Sequence, residues 1–579
     1  MKKTFTIALL VIISVSVNFC GSKKGRDRGV ALGGVSFGGT LRVNELEEIT
    51  TLVPVALSEL NSFHVASQVY EGLVRYNPSD LSIKPAVARA WDISPDKKEY
   101  TFHIRQDIKF HNNPCFTDGS GRTVTANDVK FCYQQLCTKS KFNSQYEVTF
   151  KGRVEGAAEF YASEGIDSVI TGITVPDDST IKIKLLQPEA NFLNILAMPG
   201  CYIYPREVFK KYGQDIKLNA VGTGPFYIDS IVPGKSIIMK RNPDYWGYDS
   251  NGNQLPYVDG IVWSSIKSKL AELDDFKAGK LDVIYNIPGS MLSSAIVQSG
   301  GKVNFDIHTS PALTTEYYCF NEQINPFFSM REIRIAFNLA IDRRKLAESA
   351  LRGEGRLADY GLVPYTDMFA RNGYDYKAVA GFAYNPDSAR KLLAIAGYPG
   401  GKGLPEFNLE INEGGSDRNV RVASEVQAML RENLGVKLNV NITPWATHIE
   451  NVQTGKSDFF RYAWVGDYPD PESFLTLFYG KHVPENYTDR SYINLGHFKN
   501  PKYDSIFVQA LAELDRQKRY RLFSMAEKIL MQEAALVPLF YDENSRLVQK
   551  NLKNVSENPL NYMDFSTAYF TKPVSTEKK

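Results

Sequence analysis

Strand-period and helix-period segments alternate along the whole chain, and no period of 20 to 50 residues recurs, which excludes solenoids and propellers and requires an α/β fold. Tyr100 to Ile104 alternates apolar and polar residues as a half-buried strand does. Thr125-Ala-Asn-Asp128 then offers a capping-box start to a helix presenting Val129, Tyr133 and Leu136 on one face. The same grammar returns at Ser329-Met-Arg-Glu332, ahead of Ile333, Ala336, Phe337, Ala340 and Ile341, while Asp342 is placed to cap a second helix. An amphipathic helix is predicted from Asp417 to Leu434, stopped by Gly435 before a strand from Val436 to Ile442. Asn251-Gly252 marks a turn, and the spacing of its flanking acids places glycine wrongly for a calcium loop. At 579 residues the chain is long enough for three or four lobes, with 43% hydrophobic residues to fill their cores.

The amino terminus has export-signal architecture: Lys2 and Lys3, then a mainly apolar run of 13 residues from Phe5 to Val17, then Cys20-Gly-Ser. That run is shorter than the roughly 20 residues of a membrane-crossing helix, so cleavage is expected rather than a permanent span. Residues 1–19 read as a signal peptide. Cys20 resembles the acylated cysteine of a bacterial lipoprotein, although Val17, Asn18 and Phe19 stand where a small residue usually precedes it. Residues 20–39, rich in glycine and charge, read as a flexible tether. Removing Lys2 and Lys3 from 67 basic residues leaves 65 against 65 acidic ones, a net charge of zero that excludes a basic nucleic-acid footprint. Six cysteines without a CxxC pair give neither a disulfide framework nor a zinc site.

Enzyme signatures fail on context. Gly34-Val-Ser36-Phe-Gly38 has the letters of a nucleophile elbow but lies in the tether, with no strand before it or helix after it. Gly234-Lys-Ser236 and Gly455-Lys-Ser457 lack the leading glycine of a phosphate loop, having Asp229 and Glu450 there. The seven histidines are scattered, with no pair at metal-ligand spacing. No cofactor or metal is expected. Asp467 and Asp470 would be a catalytic pair only with a cleft and shifted pKa values around them.

Several blocks, in order, resemble the bacterial extracellular solute-binding proteins of family 5, which serve oligopeptide and dipeptide ABC importers. These are Trp91-Asp-Ile-Ser-Pro-Asp, Tyr100 to Arg105, Ile108 to His111, Val124 to Val129, Gly222-Thr-Gly-Pro-Phe226, Arg241 to Trp246, Ala340 to Arg343 and Tyr384 to Ala389. The resemblance runs from about Thr40 to Pro559. It departs where the loop Asn112 to Arg122 is expanded around Cys115, a loop compatible with a disulfide to Cys132 or Cys137. The resemblance implies a two-lobed clamp of the periplasmic-binding-protein kind, type II and of its large cluster, with an additional inserted subdomain. Lobe one would comprise 40–71, 201–311 and 538–579, the inserted subdomain 72–200, and lobe two 312–537. The hinge would lie near Pro311 and Val537.

Within Arg461-Tyr-Ala-Trp-Val-Gly-Asp-Tyr-Pro-Asp-Pro471 the same resemblance assigns roles. Asp467 would receive a peptide's α-ammonium, Trp464 would line a side-chain pocket, and Arg461 could meet a carboxylate. A ligand laid as an added strand would pair with the backbone from Ala463 to Val465. Tyr317, Tyr318 and Asn321 are further cleft candidates. The alternative at each position is structural: Trp464 a core aromatic, Asp467 a turn residue, Arg461 a surface residue. The implied function is capture of short peptides outside the membrane by a lipid-anchored monomer, in the periplasm or on the outer face of the cytoplasmic membrane. Its partners would be a permease and its ATPase subunits. Competing readings are another solute in the same clamp (a nickel complex, haem or an oligosaccharide) and an exported hydrolase.

Overall fold

The computed structural model describes residues 31–571 except 141, 164–168, 299–302, 414–416 and 487–488; the stretch 1–19 read as a signal peptide, and Cys20, lie outside the described residues. Lobe one is built on a sheet ordered Thr40–Asn44, Gly260–Ser264, Ser236–Arg241, Phe226–Val232, parallel in its first pair and antiparallel thereafter. The inserted subdomain carries the antiparallel sheet Ala88–Ile93, Glu99–Ile104, Thr180–Lys184, Ile173–Asp177. Its buried residues, among them Phe102, Tyr133 and Ile183, form one continuous core with Leu41, Phe226 and Trp263 of lobe one. The helix Ala126–Leu136 begins with the expected capping box, and Arg122 forks onto Asp128 with two bonds of 2.7 Å.

Two long antiparallel strands, Phe305–Phe320 and Leu536–Gln549, run through both lobes. The end of Leu536–Gln549 pairs with Val283–Tyr285 of lobe one, and Phe305–Phe320 pairs at its far end with Phe459–Val465 of lobe two. The ladder between them shifts register between Pro311, opposite Glu543, and Thr315, opposite Tyr541. Proline has no N–H to give to a ladder, so the break falls there. On one strand the break in the ladder thus falls at Pro311. On the other it falls between Tyr541 and Glu543, and Val537, Leu539 and Phe540 belong to the core of lobe two.

The lobe-two sheet separates two apolar layers. Tyr318, Phe320 and Phe459 face the helices Arg331–Ala340 and Arg418–Leu434, whereas Tyr317, Cys319 and Phe460 face Phe478, Tyr503 and Phe523. Phe320 and Phe459 stack with centroids 4.9 Å apart and an interplanar angle of 10°. Asp342 caps its helix as predicted, accepting from Arg344 and Lys345 N–H, and Gly435 closes the 418–434 helix at φ 67°. Ser329 does not cap the helix that follows it. Its hydroxyl donates to the Pro326 carbonyl, and the helix starts one residue later, after Met330.

Two further expectations are corrected. The end of the tether is docked rather than free: Leu32 and Asn253 exchange hydrogen bonds of 2.9 and 3.0 Å, Gly38 N–H reaches the Tyr257 carbonyl, and Phe37 packs on the Tyr257 ring. Cys115, Cys132 and Cys137 are free thiols, as are Cys201 and Cys319; Cys132 on the 126–136 helix and Cys137 at its end are buried in the core, whereas Cys115 is half-exposed. Among the described residues no helix is long and apolar enough to cross a membrane.

Candidate functional site

The strand Phe459–Val465 is paired on both sides at its start and on one side at its end. Phe305–Phe320 accompanies it throughout, but Phe407–Asn412 joins its other side only at Glu410, opposite Phe460. Which backbone groups face which side follows from two contacts. Gly466 N–H donates to Leu313 O of the crossing strand, so even-numbered residues point their backbone groups that way; the Arg461 carbonyl points to the opposite side, where His448 Nε2 donates to it at 2.9 Å. The N–H and C=O of Ala463 and Val465 therefore face the open side, and they have no partner among the described residues. An unpaired edge of this length is a template for an added strand. Val465 is 56% exposed, as an open edge requires.

Asp467 stands two residues past the end of this edge, its N–H donating to Ser473 Oγ at 3.0 Å. Its carboxylate reaches solvent, yet the surrounding walls raise its pKa to about 6, first by desolvation and then by the charge of Glu472, against the opposing pull of Arg153. Arg153 belongs to the inserted subdomain. Its guanidinium lies 3.6 Å from Glu189 and 3.9 Å from Glu472, while Asn191 Nδ2 donates to Glu472 Oε2 at 2.5 Å. Arg519 pairs with Asp470 beneath, and Asp470 accepts from Glu472 N–H at 3.0 Å. Burial, and next the charge of Glu472, push the Glu189 carboxyl upward. Four carboxylates (Asp467, Asp470, Glu472, Glu189) thus share two guanidiniums, leaving an excess of negative charge suited to a cation. A cavity of about 530 Å³ adjoins this cluster, lined by Asn191, Asn194, Asp470, Arg519, Tyr520 and Ser310.

The remaining predicted residues are placed differently from one another. Trp464 is half-buried against the lower layer with its indole N–H unpartnered among the described residues. Arg461 is held by Glu316, which accepts at 2.9 Å from Nε and 2.5 Å from Nη2, and by Asn412, which accepts at 2.8 Å from Nη1. That is neither a surface arginine nor a free cation. Tyr317 and Tyr318 do not face the cleft: strand alternation sends one into each buried layer, where they are 3% and 1% exposed. Asn321 is wholly buried behind the end of the crossing strand, its Oδ1 accepting from Gln323 N–H, so it too is removed from the cleft.

The residues missed from the sequence are Arg153, Glu189, Asn191, Glu472, Glu316 and His448. Glu472 directly follows Asp470-Pro471 and could have been taken with that block; Arg153 and Asn191 lie some 300 residues away and carry no local signal.

The model of the family described as bacterial extracellular solute-binding proteins, family 5 Middle, matches residues 82–485. The chain belongs to that family. The periplasmic oligopeptide-binding protein OppA of Escherichia coli (strain K12) is 28% identical to this family member over 516 residues, covering 88% of each chain. Among solved structures, the Escherichia coli murein tripeptide binding protein MppA superimposes with a TM-score of 0.68 at 26% identity, covering 93% of this chain and 99% of that one. DppA from Helicobacter pylori, solved in complex with the peptide STSA, gives a TM-score of 0.72 at 23% identity over 93% and 99% of the two chains. This family member is a two-lobed α/β binding protein, and its family consists of solute-binding proteins.

Proposed function

We propose that this solute-binding protein captures short peptides with a free amino terminus between its lobes and hands them to an ABC permease driven by cytoplasmic ATPases. The observation that carries this reading is the open backbone edge at Ala463 and Val465 ending at Asp467. Main-chain pairing holds a peptide without regard to its side chains, and the carboxylate beyond the edge meets its ammonium. An antiparallel ligand strand directs its amino end toward Asp467, placing its first and third residues opposite Val465 and Ala463. Trp464, on the neighbouring position, offers an aromatic wall. The clustered acids around Asp467 favour a cationic group over the anionic or neutral ends of other solutes. The protein works as a monomer held by an acyl chain on Cys20, in the periplasm or at the outer face of the cytoplasmic membrane.

Native mass spectrometry of the whole mature protein, challenged with di- to pentapeptides and their N-acetylated forms, tests this reading. Retention of free-amine peptides and rejection of acetylated ones is expected. A protein indifferent to all of them would overturn the peptide reading and favour another solute in the same clamp. Turnover of any bound peptide would instead favour the hydrolase.

A further inference from the structure

We infer that Glu316 makes this site indifferent to the charge at a tripeptide's carboxyl end. The inference rests on the peptide reading above. Pairing along the open edge covers three ligand residues only. Beyond Ala463 the next outward-facing backbone groups are those of Arg461, whose carbonyl is already bonded to His448 Nε2 and whose N–H lies on the side taken by Glu410. His448 is itself fixed from behind, its Nδ1 2.9 Å from Glu410 Oε1, and Glu410 also accepts from Asn451 at 3.1 Å and Ser457 at 3.2 Å. The carboxyl end of a tripeptide therefore emerges beside Arg461.

A free guanidinium there would select for that carboxylate. Arg461 is already charge-matched: its Nε and Nη2 edge is engaged by Glu316, and one Nη1 N–H by Asn412. Glu316 is 3% exposed and faces a second guanidinium, Arg418, at 3.1 Å, which in turn reaches Asp542 at 2.9 Å. Two cations and two anions close the row with no net charge. A ligand carboxylate could take the Nε and Nη2 edge of Arg461 only by prising off Glu316, and at the remaining Nη1 N–H it would meet a guanidinium whose charge a buried acid already balances, so neither approach gains much. Glu316 lies opposite Ala463 on the adjoining strand, so its side chain shares the sheet face of Arg461 and forms the diagonal pair naturally. Its role is to cancel the positive end of the site, which leaves recognition to the amino end and the backbone.

Titration calorimetry of the whole mature protein with Ala-Ala-Ala, its C-terminal amide and its N-acetyl form tests this. In the wild type, acid and amide should bind within about threefold of each other, while the N-acetyl form is rejected. Glu316→Gln should release Arg461 and make the acid bind about tenfold tighter than the amide, and Arg461→Gln added to it should abolish that preference. A wild-type preference of about tenfold for the acid, or an unchanged ratio in Glu316→Gln, would overturn the inference while leaving the peptide reading intact. Should Glu316→Gln fail to fold, Arg461→Gln alone decides: acid affinity within about threefold of wild type is expected, and a tenfold loss overturns the inference. Failure of every free-amine peptide to bind would overturn both.

Discussion

Asn191 Nδ2 donates to Glu472 Oε2 at 2.5 Å, joining the inserted subdomain to lobe two beside the acid that the amino end of a ligand would meet. Both residues are buried, at 1% and 5% exposure, and Arg153 flanks the same carboxylate. A bond across the two halves of a clamp exists only when they are together, so its strength adds to the closed state alone.

Asn191→Ala should therefore accelerate ligand release with little change in association. A hydrogen bond to a charged group contributes about 1.5 to 3 kcal/mol, so release about tenfold or more faster is expected by stopped-flow fluorescence. An unchanged release rate would show that the clasp contributes nothing to closure.

Asp467→Asn removes the charge but keeps the shape. Peptide affinity should fall by one decade or more, from the loss of about 1.5 to 3 kcal/mol, and N-acetylation of the peptide should cost the variant less than the wild type. Additive losses in that double cycle would mean that the ammonium is met elsewhere.

Acidification gives a third expectation. Asp467 in the empty site ionises at about 6, raised by desolvation, and an ammonium partner stabilises its ionised form and lowers that value. Binding thus releases a proton below about 6: affinity is complete above that pH and declines as pH falls through it. The same raised value has the opposite sign for folding, since between about 6 and 3.8 the native carboxyl holds more proton than the unfolded one, and the empty protein gains stability from this group as pH falls. Calorimetry of binding from pH 7.5 to 4.5 checks the first part, and melting of the empty protein over the same range the second.

Phe459→Ala would empty the stack with Phe320 at the root of the edge strand. Such truncations cost about 3 to 5 kcal/mol, so the denaturation midpoint of lobe two should drop sharply, measured by urea titration. A change under about 1 kcal/mol would mean that Phe328 and Phe337, which also touch Phe459, refill the space.

Local patterns were legible because they are local. The capping box at Thr125 and Asp128, the cap at Asp342 and the stop at Gly435 each need only a few neighbouring residues. Ser329 has the right neighbours too, but its hydroxyl finds the Pro326 carbonyl first. The backbone edge at Ala463 was visible as a motif, whereas its openness depends on Phe407–Asn412 parting from it after one bridge. The partners that decide the chemistry are distant in sequence: Glu316 is 145 residues from Arg461 and Asn191 is 281 from Glu472. Tyr317 and Tyr318 were misplaced because neighbours on a strand point to opposite faces, and here both faces are buried.

The crossing strands set the kind of motion the lobes can make. Two hydrogen-bonded ribbons side by side resist sliding and resist splaying, and they yield most easily where their rungs are missing, between Pro311 and Thr315. A door on a piano hinge has the same property: one angle describes it. Closing on a short ligand or a long one would then move every point of lobe two along the same arc, so the outer rims would present the proposed permease with a single closed outline whatever the cargo's side chains.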